Sequence, residues 1–271
     1  MRLWVLGSGS RGNAVLIECG ETRVLIDAGF SPRELAARLA ATGVPPQSIR
    51  ACVITHEHTD HVRGACAGAE RWGWALHATE GTAAACPALL AADARTFEPG
   101  ASFSVGGLEL RTVPTPHDAS DPVAVVATSA RSGARVGVCY DLGHATDPVR
   151  VAMRELDLLV LEANHDEAML RVGPYPPSVQ RRIASRRGHL SNGAAAKLAR
   201  EAASFNLKHV VLAHLSESCN DGALAVRTVS DALAGTRFRG KVHVATQQGV
   251  VGPFTPRLAR CGPAPEQLSL F

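Results

Sequence analysis

The sequence predicts an α/β protein in which two β-sheets lie between helical layers. Three observations carry that expectation. Short apolar strand runs outnumber helices early in the chain, strand–helix alternation recurs in both halves, and no linker separates the halves. With 271 residues and roughly 100–200 residues per domain, the reading is one domain over 1–252 and an irregular tail over 253–271, where prolines recur.

The elements follow in order. Residues 3–6, 14–18 and 24–27 are apolar runs separated by turn-forming segments at 7–13 and 19–22, so they read as strands. Ser31-Pro32-Arg33-Glu34 places an N-cap, a proline at the first helical position and a capping-box glutamate ahead of a helix to about residue 43. Residues 49–55 read as a buried strand ending in His56-Glu57-His58-Thr59-Asp60-His61. A helix to residue 72, a strand at 75–78 and an Ala-rich helix from 79 come next. Past Pro99-Gly100, strands are expected at 102–105, 108–113, 123–128 and 135–140. A helix near 147–156 then precedes a very apolar strand at 158–161. Helices at about 177–187 and 191–204, a strand at 209–213, a helix at 223–234 and a strand at 241–245 close the fold.

Composition narrows the class. The chain is 46% hydrophobic and 20% charged with a net charge of +3. Its pI of about 8.6 falls short of the values above ~9 typical of dedicated nucleic-acid binders. Seven cysteines include no Cys-x-x-Cys pair, so neither a zinc knuckle nor a disulfide framework is indicated. No apolar run approaches the ~18 residues of a membrane span, and the N-terminus lacks a signal-peptide pattern. A cytoplasmic protein with no membrane partner is expected.

The chemistry concentrates in His56-x-His58-x-Asp60-His61, four ligand-type residues in six positions at a strand end. On a loop, His56 and His58 can converge on one metal while Asp60 and His61 turn towards a second. Imidazole and carboxylate donors suit zinc, manganese or iron, whereas calcium prefers an oxygen shell. His117, Asp141 and His214 each stand just beyond an apolar strand, so one sheet edge can gather them.

This order, HxHxDH then His, Asp and His, resembles the metallo-β-lactamase superfamily across nearly the whole chain. The resemblance implies that fold's αβ/βα four-layer sandwich with two divalent metal ions, Zn²⁺ or Mn²⁺, at one sheet edge. It implies that His56, His58 and His117 hold the first ion and Asp60, His61 and His214 the second, with Asp141 bridging. Residues 6–13, Glu162-Ala163-Asn164-His165-Asp166, Gly188-His189-Leu190-Ser191-Asn192 and Ala213-His214-Leu215-Ser216 are similar to the YycJ/WalJ group of exonuclease-like phosphodiesterases. The chain lacks the β-CASP insertion of ribonuclease J-type nucleases and the arm with which ribonuclease Z holds tRNA.

Catalysis in this reading uses Asp60 to orient the attacking water and His189 to protonate the leaving group, as a histidine in the same place does in ribonuclease Z. The competing reading of His189 is a helix-end histidine. Glu162 either hydrogen-bonds a ligand histidine or satisfies backbone amides. His165 touches substrate or caps the next helix, and Asn192 joins it as a substrate contact. Arg181, Arg182, Arg186 and Arg187, at i, i+4 and i+5 spacings, place several cations on one helix face able to neutralise phosphates, unless that face is merely solvated.

The chain ends Gln267-Leu268-Ser269-Leu270-Phe271 after a Pro/Gly spacer. This pentapeptide is similar to the motif with which bacterial replication and repair proteins attach to the DNA polymerase sliding clamp. Leu268, Leu270 and Phe271 would fill an apolar groove and Gln267 would supply a hydrogen bond; the alternative is packing on the parent domain. The combined expectation is a binuclear metal-dependent phosphodiesterase acting as a DNA exonuclease in replication-linked repair. A small-molecule ester, thioester or cyclic-phosphate hydrolase, an RNA-processing nuclease and a non-catalytic scaffold are the alternatives.

Overall fold

The computed structural model describes residues 1–256. The first half of the chain runs β1 (Arg2–Gly7), β2 (Ala14–Cys19), β3 (Thr22–Ile26), α1 (Pro32–Thr42), β4 (Ala51–Val53), α2 (Thr59–Val62), α3 (Ala65–Trp72), β5 (Ala75–Thr79), α4 (Glu80–Ala85), α5 (Pro87–Ala91) and β6 (Arg95–Phe97). The second half runs β7 (Ser102–Val105), β8 (Leu108–Pro114), β9 (Val123–Ser129), β10 (Arg135–Cys139), α6 (Asp147–Ala152), β11 (Leu158–Glu162), α7 (Glu167–Val172), α8 (Pro177–Ile183), α9 (Asn192–Ala202), β12 (His209–Ala213), α10 (Gly222–Leu233), β13 (Lys241–Val244) and β14 (Val251–Phe254).

Two seven-stranded sheets result, ordered β14-β1-β2-β3-β4-β5-β6 and β13-β12-β11-β10-β9-β8-β7. Their facing surfaces share a core that includes Val5, Ile17, Val24 and Val53 from the first sheet and Val125, Val138, Val160 and Val211 from the second. The outer face of the first sheet packs Leu16, Leu25 and Ile54 against Leu35 and Leu39 of α1. The outer face of the second packs Leu159, Leu161 and Leu212 against Leu198 of α9 and Val229 of α10. Strands buried on both faces have no polar side to show, which is why they read as continuous apolar runs. The layers are therefore helix, sheet, sheet, helix, as expected.

Helix α1 begins as its sequence indicates. The Ser31 side chain accepts from the Glu34 N–H and the Glu34 carboxylate accepts from the Ser31 N–H, while Gly43 ends the helix in the left-handed conformation. The boundary expected at residue 252 is corrected by β14, which pairs with β1 through Leu3↔Phe254 and Val5↔Val251. Phe254 is buried between the sheets, and Pro253 is tolerated because β14 is an edge strand with a register shift at this point.

Strands β3 to β6 run parallel, as do β10 to β13. Their carboxyl ends therefore open on common edges, the usual place for a site in such sheets. Asp27 follows β3, His56 follows β4, His117 follows β8, Asp141 follows β10, Glu162 ends β11 and His214 follows β12. No helix among the described residues is long and apolar enough to cross a membrane.

Candidate metal centre

Three imidazoles meet first. His56 Nε2 lies 3.0 Å from His58 Nδ1, and His117 Nε2 lies 3.3 Å from the same atom. The far nitrogens of two of these rings decide what the near ones carry. His117 Nδ1 donates to the Gly188 carbonyl at 3.0 Å. His56 Nδ1 donates to the Thr55 hydroxyl oxygen at 3.0 Å, because that hydroxyl spends its own proton on Asp27 Oδ2. Both Nε2 atoms thus present lone pairs to the centre. Burial, reinforced by the neighbouring imidazoles, pushes the His56 pKa well down and that of His117 down, which keeps them in the metal-ligating neutral form.

A second group stands beside it. His214 Nε2 is 3.2 Å and His61 Nε2 3.4 Å from Asp60 Oδ2. The short helix α2 places Asp60 and His61 on one turn, with His58 as its N-cap residue. Asp60, His61 and His214 form one cluster with converging ligand atoms, as do His56, His58 and His117.

Asp141 lies between the two. It is 2% exposed, and imidazole nitrogens of His61, His189, His214 and His56 surround it at 2.7, 3.1, 3.3 and 3.8 Å. Even so, neither carboxylate oxygen has a partner aligned for a hydrogen bond. Burial alone would raise this carboxyl, but His214 and His61 hold it well below its usual range. A buried anion without hydrogen bonds, flanked by converging lone pairs, fits divalent cations. The site is built to bind divalent metal.

Glu162 is fully buried and gives each oxygen a task. Oε2 accepts from the backbone N–H groups of Leu142 at 3.0 Å and Leu190 at 3.1 Å, and Oε1 accepts from His189 Nδ1 at 2.6 Å. The backbone-amide reading holds, and the histidine that Glu162 bonds is His189 and not one of the expected ligands, of which His214 is nearest with Nδ1 at 3.5 Å. Burial works against its charge, yet the His189 imidazole outweighs burial and lowers the carboxyl to about 2. In turn Glu162 and Asp141 overcome burial and push the His189 pKa well up, so its ring holds a proton. His189 stacks on His214 with ring centroids 5.1 Å apart. It sits half-buried inside the site, among Asp141, Glu162 and His214, and not at an incidental helix end.

The other expected substrate contacts separate. The helix expected to reach 187 stops at Ile183, so the four arginines share no helix face. The cause is local. His189 N–H bonds back to the Ile183 carbonyl, and a side chain at Gly188 would collide with that carbonyl at 2.2 Å, so residues 184–188 must leave the helix. Arg182 pairs with Asp118 at 2.5 Å, Arg187 donates to the His117 carbonyl at 3.1 Å, and Arg186 lies 3.0 Å from His144. Only Arg181 is left without such a partner among the described residues. Asn192 is buried, and its side-chain amide is committed to Asn220 through hydrogen bonds at 2.8 and 2.9 Å. His165 does not cap the next helix, because Asp166 does. Its backbone carbonyl takes the Asn192 N–H and its ring is buried beside the site. Gln267, Leu268, Leu270 and Phe271 lie outside the described residues.

Three supporting residues went unread in the sequence. Asp27, in the left-handed conformation at φ 60°, accepts from His61 Nδ1 and the Tyr140 hydroxyl at 2.7 Å each and from the Thr55 N–H at 2.7 Å. Asn13 donates to Asp60 Oδ2 at 3.2 Å, and its Oδ1 accepts from the Ser8 hydroxyl, which itself accepts from the His214 N–H. The Gly-rich segment before β2 is thus a brace for the centre. Asn164 donates to the His214 carbonyl at 2.9 Å.

The family model for the beta-lactamase superfamily domain matches residues 22–215. The chain is 31% identical over 238 residues to exodeoxyribonuclease YycJ of Bacillus anthracis, covering 86% of this chain and 89% of that protein. It is 30% identical over 236 residues to exodeoxyribonuclease WalJ of Streptococcus pneumoniae serotype 2, covering 85% and 87%. Among solved structures, the metallo-beta-lactamase fold protein YhfI of Bacillus subtilis superposes with a TM-score of 0.69 at 16% identity, over 93% of this chain and 99% of that one. Human tRNase Z, short form, gives 0.63 at 17%, over 94% and 100%. The chain belongs to the beta-lactamase superfamily, as a metallo-β-lactamase-fold hydrolase of the YycJ/WalJ group.

Proposed function

We propose that this protein is a binuclear metal-dependent phosphodiesterase that removes nucleotides from DNA in replication-linked repair. The observation that carries the reading is the orphaned Asp141 carboxylate between two converging ligand groups, with His189 held alongside by Glu162. DNA as substrate draws support from two relatives named exodeoxyribonucleases over most of their length. In this reading His56, His58 and His117 would hold one ion and Asp60, His61 and His214 the other, with Asp141 available to either. Two divalent cations, Zn²⁺ or Mn²⁺, supply Lewis-acid polarisation of a phosphoryl oxygen and a lowered water pKa. Asp60, at the cleft surface, orients the attacking water. His189 gives its proton to the leaving oxygen while Glu162 keeps the ring in place.

The test is cleavage of end-labelled duplex and single-stranded DNA by metal-stripped protein refilled with Mn²⁺ or Zn²⁺. Stepwise shortening in the wild type, lost in His58→Ala, is expected. Absence of cleavage with two bound ions per chain would move the substrate to a small ester or cyclic phosphate.

The tail supports a second part of the reading, attachment to the sliding clamp through Gln267, Leu268, Leu270 and Phe271. Deleting residues 267–271 is expected to abolish clamp binding in surface plasmon resonance while cleavage of free DNA persists. Clamp binding that survives the deletion would refute the attachment.

A further inference from the structure

A second cavity of about 560 Å³ shares His189 as a wall with the metal-ligating cleft. Helix α8 stands between the two: Gln180 and Arg181 line the second cavity, whereas Val179 and Arg182 line the cleft. The volume falls within the ~300–1,000 Å³ of small-molecule sites.

Its lining is unusual for a passive void. His165 is 2% exposed and lines it, yet its Nδ1 has no hydrogen-bond partner. A buried polar atom of this kind calls for a ligand or a water to complete it. Arg171 and Arg181 also line the cavity, and neither forms an ion pair among the described residues. The one carboxylate present, Glu167, accepts from the Ser191 hydroxyl at 2.9 Å. Two cations against one anion favour an anionic occupant, while Leu170 and Pro177 supply an apolar wall. Phosphate charge joined to a flat apolar ring is the chemistry of a nucleotide.

We propose that this cavity seats the nucleotide on the leaving side of the scissile phosphodiester, its own phosphate against Arg171 and Arg181 and its nucleoside against His165, Ser191 and Leu170. The inference rests on the phosphodiesterase reading above and adds where the departing nucleotide sits. Water adds to phosphorus and releases one proton to solvent, the P–O bond to the leaving nucleotide breaks with its electron pair on that oxygen, and the oxygen takes a proton from His189, which solvent then restores. The proton donor therefore borders both the cleft where the bond breaks and the cavity that holds the departing alcohol. A released nucleotide would occupy the same place as product.

The experiment titrates 2′-deoxyadenosine 5′-monophosphate and 3′-monophosphate into the metal-loaded protein by calorimetry. Wild type, His165→Ala and the double variant Arg171→Ala/Arg181→Ala are compared, and KM for end-labelled DNA is measured in parallel. The double variant is expected to weaken binding of at least one nucleotide by about tenfold or more, the loss of one charge-assisted contact, and to raise KM for DNA in step. His165→Ala is expected to weaken binding by a smaller factor. No measurable nucleotide binding in the wild type, or binding within about twofold of wild type in the double variant, would overturn the assignment. Wild type that binds nucleotide through these arginines but cleaves no DNA would keep the cavity and remove the DNA reading. Wild type that cleaves DNA with a KM indifferent to them would do the reverse.

Discussion

His189 and Asp27 show how single residues set the chemistry without adding to the converging ligand triads. Asp27 holds His61, Thr55 and Tyr140 together, and through Thr55 it fixes the tautomer of His56. His189 is held by Glu162 and kept protonated by two carboxylates. Replacing it by alanine removes the acid but none of the atoms in the His56 or Asp60 triads. We expect His189→Ala to retain metal content by elemental analysis and to lose about 10²–10⁴-fold in kcat; unchanged turnover would refute the donor role. The HxHxDH ligands were legible because four such residues crowd six positions, which turn chemistry alone does not require. Asp27 was not, because an isolated aspartate after a strand reads as a turn residue until the fold brings His61 to it. Asn13 was hidden for the same reason, behind a glycine-rich segment that looks purely structural.

The elements carry these residues to their places through close backbone contact. Helix α2 is one turn long and could not hold Asp60 by its own hydrogen bonds. It is pinned from behind: Asn13 N–H donates to the Asp60 carbonyl, Ala28 N–H to the His61 carbonyl, and Gly64 N–H to the Ala28 carbonyl, at 2.8, 2.8 and 2.7 Å. Gly29 makes this possible, since a Cβ there would come within 1.7 Å of the Asp60 carbonyl oxygen. Gly29→Ala must therefore displace α2. We expect a loss of about 3 kcal/mol in urea unfolding, the upper end of overpacking costs, together with weaker metal binding. Gly249→Ala, which meets nothing within 4 Å, is the control and should stay within about 0.5 kcal/mol of wild type. Equal midpoints for the two variants would contradict the argument. The same kind of contact explains where element boundaries escaped the sequence. Helical spacing persists past Ile183, but the Gly188 approach that ends α8 is a tertiary fact. Glycine and proline in β14 disguised a strand whose only partner among the described residues is β1.

Across the whole molecule, the centre joins the two sheets. His56, Asp60 and His61 come from the first half of the chain and His117, Asp141, Glu162 and His214 from the second. The sandwich itself was legible, because strands buried on both faces leave continuous apolar runs. The meeting of distant strand ends was legible only as a list of ligand-type residues placed just after strands. Their meeting has a consequence for stability when metal is removed. Without cations, the carboxylates of Asp60, Asp141 and Glu162 rely on protonated His61, His189 and His214 across this junction. All three histidines have raised pKa values despite burial, which opposes the shift; the facing carboxylates outweigh it and bring His214 to about 9. A histidine raised in the folded state stabilises fully below its unfolded value near 6.5, and that stability is lost as pH rises through the folded value. Chelated protein should therefore lose on the order of a few kcal/mol between about pH 6.5 and 9. In a domain of this size that lowers Tm by roughly 5–10 °C. Metal-loaded protein should show a much smaller decline, because His61 and His214 are then neutral ligands and the cations neutralise Asp60 and Asp141, which leaves only His189 paired with Glu162. Scanning calorimetry of both forms at pH 6.5, 7.5 and 9 decides it. A chelated protein equally stable across that window, or more stable at pH 9, would show that the two halves are held together without the charge network described.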